Sequence, residues 1–128
     1  MTPLFLSLSD ILEIHADQVV RYGGAEEVRD MERLQSCVAA PEAGFGDECF
    51  HAFPFEMAAA YLYHIVHGHP FLDGNKRTGT VAALVFLDVN GIEVDIPSDK
   101  LVAHVLAVAA GELGKAETAV FLAHYALK

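Results

Sequence analysis

Residues 80–91 of the chain, TVAALVFLDVNG, place apolar side chains on almost every side of a helix. A helix without a polar face needs other elements to cover it, so this segment predicts a buried central helix. Asn90 and Gly91 are typical of the position where a helix ends. The most apolar part, residues 81–87, is far too short to cross a bilayer. The fold is therefore expected to consist of elements packed around one buried helix.

Helix start and stop signals predict the remaining elements. Ser7 and Asp10 have the spacing of a capping box, and Gly23 follows the apolar pattern that they open. Asp30 is a suitable cap for a second helix. Residues 41–53 contain two glycines and no helical period, which favours a loop or a short hairpin. The predicted class is all-α, with about six helices; besides the central one they are expected near residues 7–24, 31–40, 54–68, 98–110 and 116–127.

The length and composition are typical of one folded domain. A chain of 128 residues is long enough to bury one core, and an apolar content of 53% argues against disorder. We therefore expect a single domain over residues 1–128. The net charge of −10 argues against a general nucleic-acid binder, because such proteins need a basic surface.

Two further features predict a cytoplasmic protein. Cys37 and Cys49 lack CxxC spacing, and two isolated cysteines are typical of a reducing compartment. The first residues, MTPLFLSLSD, lack the basic flank of a signal peptide. Neither a disulfide framework nor a membrane segment is expected.

The segment HPFLDGNKRTG, residues 69–79, concentrates polar and charged residues at the start of the central helix. Between Arg33 and Lys100, the only lysine or arginine residues are Lys76 and Arg77. Two adjacent cations at the centre of an acidic chain have two interpretations. They bind an anion, or they are the solvated first turn of a helix. Their position favours the anion, because the positive end of the helix dipole disfavours cations.

The rest of this loop supplies the groups that phosphate chemistry needs. Unpaired N–H groups at the helix start form a phosphate cradle, which Gly74 allows a ligand to approach closely. Asn75 is a suitable cap, and its amide can donate hydrogen bonds. Asp73 is a lone carboxylate of the kind that holds Mg²⁺ beside phosphate oxygens. His69 is a candidate general base, since histidine titrates near neutral pH, whereas Phe71 is expected to anchor the loop in the core. Together these groups predict phosphoryl or nucleotidyl transfer.

The loop resembles the motif HxFx(D/E)GN(G/K)R of the Fic/Doc family. The matching residues are His69, Phe71, Asp73, Gly74, Asn75, Lys76 and Arg77. The segments LEIHADQVVRYGG, AAAYLYHIVHGHPF and LVFLDVNGIEVD are also similar to the Doc (death-on-curing) branch, so the resemblance covers nearly the whole chain. It implies a Fic-like helical fold in which residues 44–52 form a flap that positions a target segment by strand-like pairing.

The resemblance also implies a role for each polar residue of the loop. His69 is expected to take the proton from a target hydroxyl, and Asp73 to hold Mg²⁺. Gly74, Asn75 and Arg77 are expected to bind the phosphates of ATP. Lys76 stands where adenylyl-transferring members usually have glycine. Doc-like members have lysine there, and in the Doc branch ATP is thought to lie reversed, presenting its γ-phosphate to the target.

The implied function is that of a toxin of a toxin–antitoxin module, neutralised by a small antitoxin protein. It would phosphorylate a serine or threonine of a protein target, which in this branch is translation elongation factor Tu. Transfer of AMP to a protein hydroxyl and an inactive interaction module are the alternatives. His67 departs from the family, because many relatives carry lysine or arginine at this position, and this departure weakens the positive field near neutral pH.

A zinc site is a further alternative for the histidines around the loop. His64 and His67 have helical i, i+3 spacing, and His69 follows closely. The neighbouring GNKR sequence suits phosphate better than zinc, which needs three protein ligands at a catalytic site. His64 is therefore interpreted as a packed helix residue, and His15, His104 and His124 as helix residues remote from the chemistry.

Overall fold

The computed structural model describes residues 2–127. Within this range the chain forms six α-helices: α1 (Leu8–Tyr22), α2 (Met31–Ala39), α3 (Phe55–Gly68), α4 (Asn75–Val89), α5 (Ser98–Ala109) and α6 (Lys115–His124). A short 3₁₀ helix, Ala40–Glu42, follows α2, and strands β1 (Gly44–Phe45) and β2 (Glu48–Cys49) form an antiparallel hairpin before α3. The predicted all-α class with one hairpin excursion is confirmed.

The core is built around the packing of α3 on α4, with α1 and α6 against this pair. The expectation that α4 is buried on all sides holds only in part. One face of α4, which includes Ala82, Ala83 and Phe86, is buried, whereas Val81 and Val85 are half-buried. The more completely buried helix is α3, since it lies between α4 and α6.

Gly79 allows the two central helices to approach each other closely. A Cβ at this position would lie 2.9 Å from Val66 Cγ2 and 3.1 Å from the carbonyl oxygen of Leu62. Because both neighbours belong to α3, any larger residue at position 79 would push α3 and α4 apart. The close packing of α3 and α4 therefore also fixes the two ends of the loop that joins them.

The capping signals place most helix boundaries where the sequence predicts them. Ser7 and Asp10 form the capping box of α1, and the Asp30 carboxylate accepts the Arg33 N–H at the start of α2. The predicted extent of α6 is wrong, because the helix ends at His124. The following residues turn back and pair with the extended segment before α5, where the Leu127 N–H donates to Glu93.

None of the helices within residues 2–127 has the length and apolar character needed to cross a membrane.

The two cysteines are free thiols in different environments. Cys37 is buried on α2, and its Sγ donates to the carbonyl oxygen of His64 at 3.1 Å, whereas Cys49 is exposed on the hairpin. Burial raises the pKa of the Cys37 thiol to about 11, which keeps it protonated and unreactive.

Candidate active site

His69 ends α3 in a left-handed conformation, with φ 51° and ψ 52°. Among residues 2–127 it is the only residue other than glycine with a positive φ. Such a conformation is held only when the surroundings determine it. Here Arg29 Nε donates to the His69 carbonyl oxygen at 2.8 Å, and Arg33 Nη1 donates to that of Gly68 at 3.2 Å. The backbone of the candidate base is therefore fixed by Arg29, which precedes α2, and by Arg33 on α2, while its side chain is exposed.

Phe71 and Asn75 anchor the loop on its buried side. Phe71 is fully buried, which confirms its predicted anchoring role. The Asn75 amide pairs with both polar atoms of the Phe71 backbone: Oδ1 accepts its N–H and Nδ2 donates to its carbonyl oxygen, each at 3.0 Å. Gly74, at φ 81°, is the N-cap of α4, and Asn75 is its first helical residue. In this arrangement Asn75 can offer a phosphate its backbone N–H, while one N–H of its side-chain amide is bonded to the Phe71 carbonyl oxygen.

We expect Asn75→Ala to lower the free energy of unfolding by about 2 kcal/mol or more, since it leaves two buried backbone groups unpaired. The matched variant Asn75→Asp keeps an acceptor for the Phe71 N–H but sets a second acceptor against the Phe71 carbonyl oxygen, so it should also be less stable than the wild type. Urea unfolding of the three proteins measures the difference. Equal stability of Asn75→Ala and the wild type would show that this pairing does not hold the loop.

Asp73 is anchored at its backbone and at one carboxylate oxygen. Its Oδ2 accepts the Ala25 N–H at 2.9 Å, and its carbonyl oxygen lies 2.8 Å from His15 Nε2. Its Oδ1 makes no hydrogen bond within the described part of the chain, and the residue is exposed. This arrangement fits a Mg²⁺ ligand. No three His, Cys, Asp or Glu side chains within residues 2–127 group together as a metal site, so a cation here would also need phosphate or water oxygens, as Mg²⁺ usually does.

Lys76 and Arg77 are exposed on the first turn of α4, where their charges are available. Neither makes a salt bridge within residues 2–127. The Arg77 guanidinium lies 4.5 Å from the centroid of the Tyr22 ring, a cation–π contact that orients it without neutralising it.

Lys76 and Arg77 border a cavity of about 550 Å³. Gly74 and Asn75 also line it, and its far wall consists of apolar residues of α5, including Val102 and Leu106. This cavity combines free cations, a helix N-terminus and an apolar wall, which are the features that a nucleotide requires. The sequence-predicted residues are thus brought together around one end of α4, although His69 and Asp73 lie on the loop outside the cavity wall.

His15 is a supporting residue that the sequence reasoning missed. The expectation that it lies remote from the chemistry is wrong, because its buried ring stacks on Phe71 with centroids 3.7 Å apart and contacts the Asp73 backbone. Only its position on the buried face of α1 could have pointed to it. His104 is packed as expected, against Phe121 and 2.8 Å from Thr118 Oγ1.

His64 and His67 have different surroundings and do not form a metal site with the loop. His64 Nε2 lies 3.0 Å from Lys115 Nζ, so it accepts a hydrogen bond from the ammonium group and is neutral. Burial, and then the Lys115 charge, lower the pKa of His64 to about 4. His67 is exposed and stacks on Tyr63 at 5.2 Å. The packed role predicted for His64 fits these contacts.

The lowered pKa of His64 predicts a loss of stability in acid. The unfolded chain binds this proton near pH 6.5, whereas the folded chain binds it only near pH 4. Stability is therefore full above about pH 6.5 and falls as the pH drops from there towards about 4. We expect His64→Gln to weaken this dependence, although His51 and His104, whose pKa values burial also lowers, retain part of it.

Urea unfolding at about pH 7 and about pH 5 tests this prediction. The exposed His124 on α6 offers the control, because His124→Gln should leave the difference between the two pH values unchanged. The same difference in His64→Gln as in the wild type would contradict the assignment.

The hairpin lies in the segment predicted to form a flap. Gly44 pairs with Cys49 and Phe45 with Glu48. The side chains of Phe45 and Phe50 are 85% and 69% exposed, which leaves aromatic surface on a short edge. The predicted hairpin is confirmed, and its role in positioning a target stays a prediction.

Comparison with known proteins shows the family of this chain. The model of the Fic/DOC family matches residues 5–87. The chain is 32% identical over 114 residues, 89% of either protein, to "Protein kinase doc" of Escherichia phage P1. It is 34% identical over 91 residues, 70% of this chain and 67% of the relative, to "Toxin Doc" of Mycolicibacterium smegmatis (strain ATCC 700084 / mc(2)155). The chain belongs to the Fic/Doc family, in its Doc branch.

Proposed function

We propose that this protein is a Doc-like toxin that transfers the γ-phosphate of ATP to a serine or threonine hydroxyl of a protein. The observation that carries the proposal is the pair of free cations, Lys76 and Arg77, beside the cavity at the N-terminus of α4. The names of the two relatives, a protein kinase and a toxin, support it.

The residues of the loop have different roles in the proposed reaction. His69 accepts the proton of the target hydroxyl, whose oxygen then bonds to the γ-phosphorus as the bond to ADP breaks. Lys76, Arg77 and the N–H groups of the first turn of α4 stabilise the charge on the phosphate oxygens. Asp73 would hold Mg²⁺, which supplies further charge neutralisation when bound.

Lys76 is the basis for proposing a kinase rather than an adenylyltransferase. Its side chain is exposed beside the cavity, where it adds a charge and occupies space that glycine would leave for the distal phosphates of ATP. With ATP reversed, as the resemblance to the Doc branch implies, the phosphate held by this ammonium group and the helix N–H groups is the γ-phosphate. The γ-phosphate is therefore the group that we assign to transfer.

The proposed target is translation elongation factor Tu, and the proposed regulator is a small antitoxin protein. Membership of the Doc branch supports both proposals. The hairpin supports recognition of a protein target, because its short strands and exposed Phe45 and Phe50 offer an edge for an extended segment.

Expression in bacteria without an antitoxin tests the toxin proposal. We expect the wild type to arrest growth and to lower incorporation of labelled amino acids. The His69→Ala variant should allow growth at equal expression, because it lacks the proposed base. Equal arrest by both proteins would separate toxicity from the candidate site and overturn the proposal.

A further inference from the structure

We propose that His15 is a positioning residue that fixes Asp73 through the hydrogen bond between its imidazole Nε2–H and the Asp73 carbonyl oxygen. The part of this inference that concerns metal binding rests on the proposed function of Asp73. The part that concerns the loop rests on the contacts of the described residues alone. His15 lies on α1, far from the loop in sequence.

The direction of the hydrogen bond follows from its partners. A carbonyl oxygen can only accept, so the hydrogen in the 2.8 Å contact between His15 Nε2 and the Asp73 oxygen must lie on Nε2. His15 is 2% exposed, and water has little access to replace this donor. Without it, the Asp73 carbonyl would lose its one recorded partner in the described part of the chain.

Packing alone does not require a histidine at this position. One turn earlier on the same face of α1, Ile11 is fully buried and fills its place with an aliphatic side chain. An apolar residue could equally cover Phe71, on which the His15 ring stacks at an interplanar angle of 6°. The polar edge of the ring is therefore the feature that needs explaining, and the Asp73 carbonyl is the group that it meets.

His15 and the segment after α1 hold Asp73 from two directions. The Ala25 N–H binds the carboxylate at 2.9 Å, while His15 binds the carbonyl of the same residue. A Cβ at Gly24 would lie 3.1 Å from the Asp73 Cβ, so glycine makes room for this contact. A Cβ at Gly74 would lie 3.4 Å from the His15 ring. Loss of the His15 hydrogen bond should therefore loosen the Asp73 peptide and, with it, the Ala25 contact.

Two variants of similar length isolate the hydrogen bond from the packing. His15→Gln keeps an N–H donor, whereas His15→Met fills similar space without one. Their melting temperatures are compared first, and His15→Leu replaces His15→Met if the latter does not fold. Amide hydrogen exchange of Ala25, measured without ligand, then reports how stably the Ala25 N–H is bonded to the Asp73 carboxylate. Electron paramagnetic resonance of Mn²⁺ with a non-hydrolysable ATP analogue measures the metal affinity.

We expect exchange at Ala25 to be about tenfold faster in His15→Met than in the wild type, with His15→Gln close to the wild type. The Mn²⁺ dissociation constant should rise about tenfold in His15→Met and much less in His15→Gln. Equal exchange at Ala25 in both variants would overturn the inference. If the wild type binds no Mn²⁺, the metal role of Asp73 in the proposed function fails, and the Ala25 exchange alone decides the role of His15.

Discussion

His69→Ala is expected to abolish transfer from ATP to the target, with a fall in rate of roughly a hundredfold or more, while the protein stays folded. The physical reason is that His69 is the proposed base of the loop, and its exposed ring contributes little to the core. Its backbone is held by Arg29, and this contact does not depend on the side chain at position 69. Radiolabelled ATP measures the transfer, and circular dichroism with thermal melting measures the fold.

The control for this experiment is His124→Ala, which removes an exposed histidine from α6. It should transfer label at the rate of the wild type. A folded His69→Ala protein with undiminished transfer would remove His69 from the mechanism, and another group would then have to accept the proton.

Asp73→Asn is expected to reduce turnover about as severely, because it removes the one carboxylate of the loop while keeping its size. The asparagine oxygen can still accept the Ala25 N–H, so the loop should keep its position. The lost charge should weaken Mg²⁺ binding, and activity should then require a higher Mg²⁺ concentration. Initial rates measured across a Mg²⁺ titration give the comparison.

Asp88→Asn is the matched control, since Asp88 is an exposed carboxylate near the other end of α4. Its Mg²⁺ dependence should equal that of the wild type. An Asp73→Asn protein that titrates with Mg²⁺ as the wild type does would show that Asp73 is not the ligand.

The fold was largely predictable because its signals are local. Ser7 and Asp30 cap helices through hydrogen bonds to residues three positions away, and these pairs can be recognised in the sequence. The end of α6 was not predictable, because it depends on pairing of the C-terminal residues with the segment around Val94. Such pairing joins parts of the chain that lie far apart in sequence.

The candidate site shows the same division between local and distant contacts. Six polar or flexible residues lie within residues 69–77, so their types and spacing suggested phosphate chemistry. Their supports come from elsewhere: His15 and Tyr22 from α1, and Arg29 from the segment before α2. The pairing of the Asn75 side chain with the Phe71 backbone was also not predicted from the sequence, and it arises because a buried backbone needs a partner.

Transfer of the γ-phosphate is tested most directly by product analysis with ATP labelled separately at the α and γ positions. The purified protein is incubated with elongation factor Tu and either form of ATP, and His69→Ala gives the background. We expect label on a serine or threonine of the target from γ-labelled ATP alone, with ADP as the other product. Label transferred from the α position and not from the γ position, with release of pyrophosphate, would contradict the claim and favour transfer of AMP.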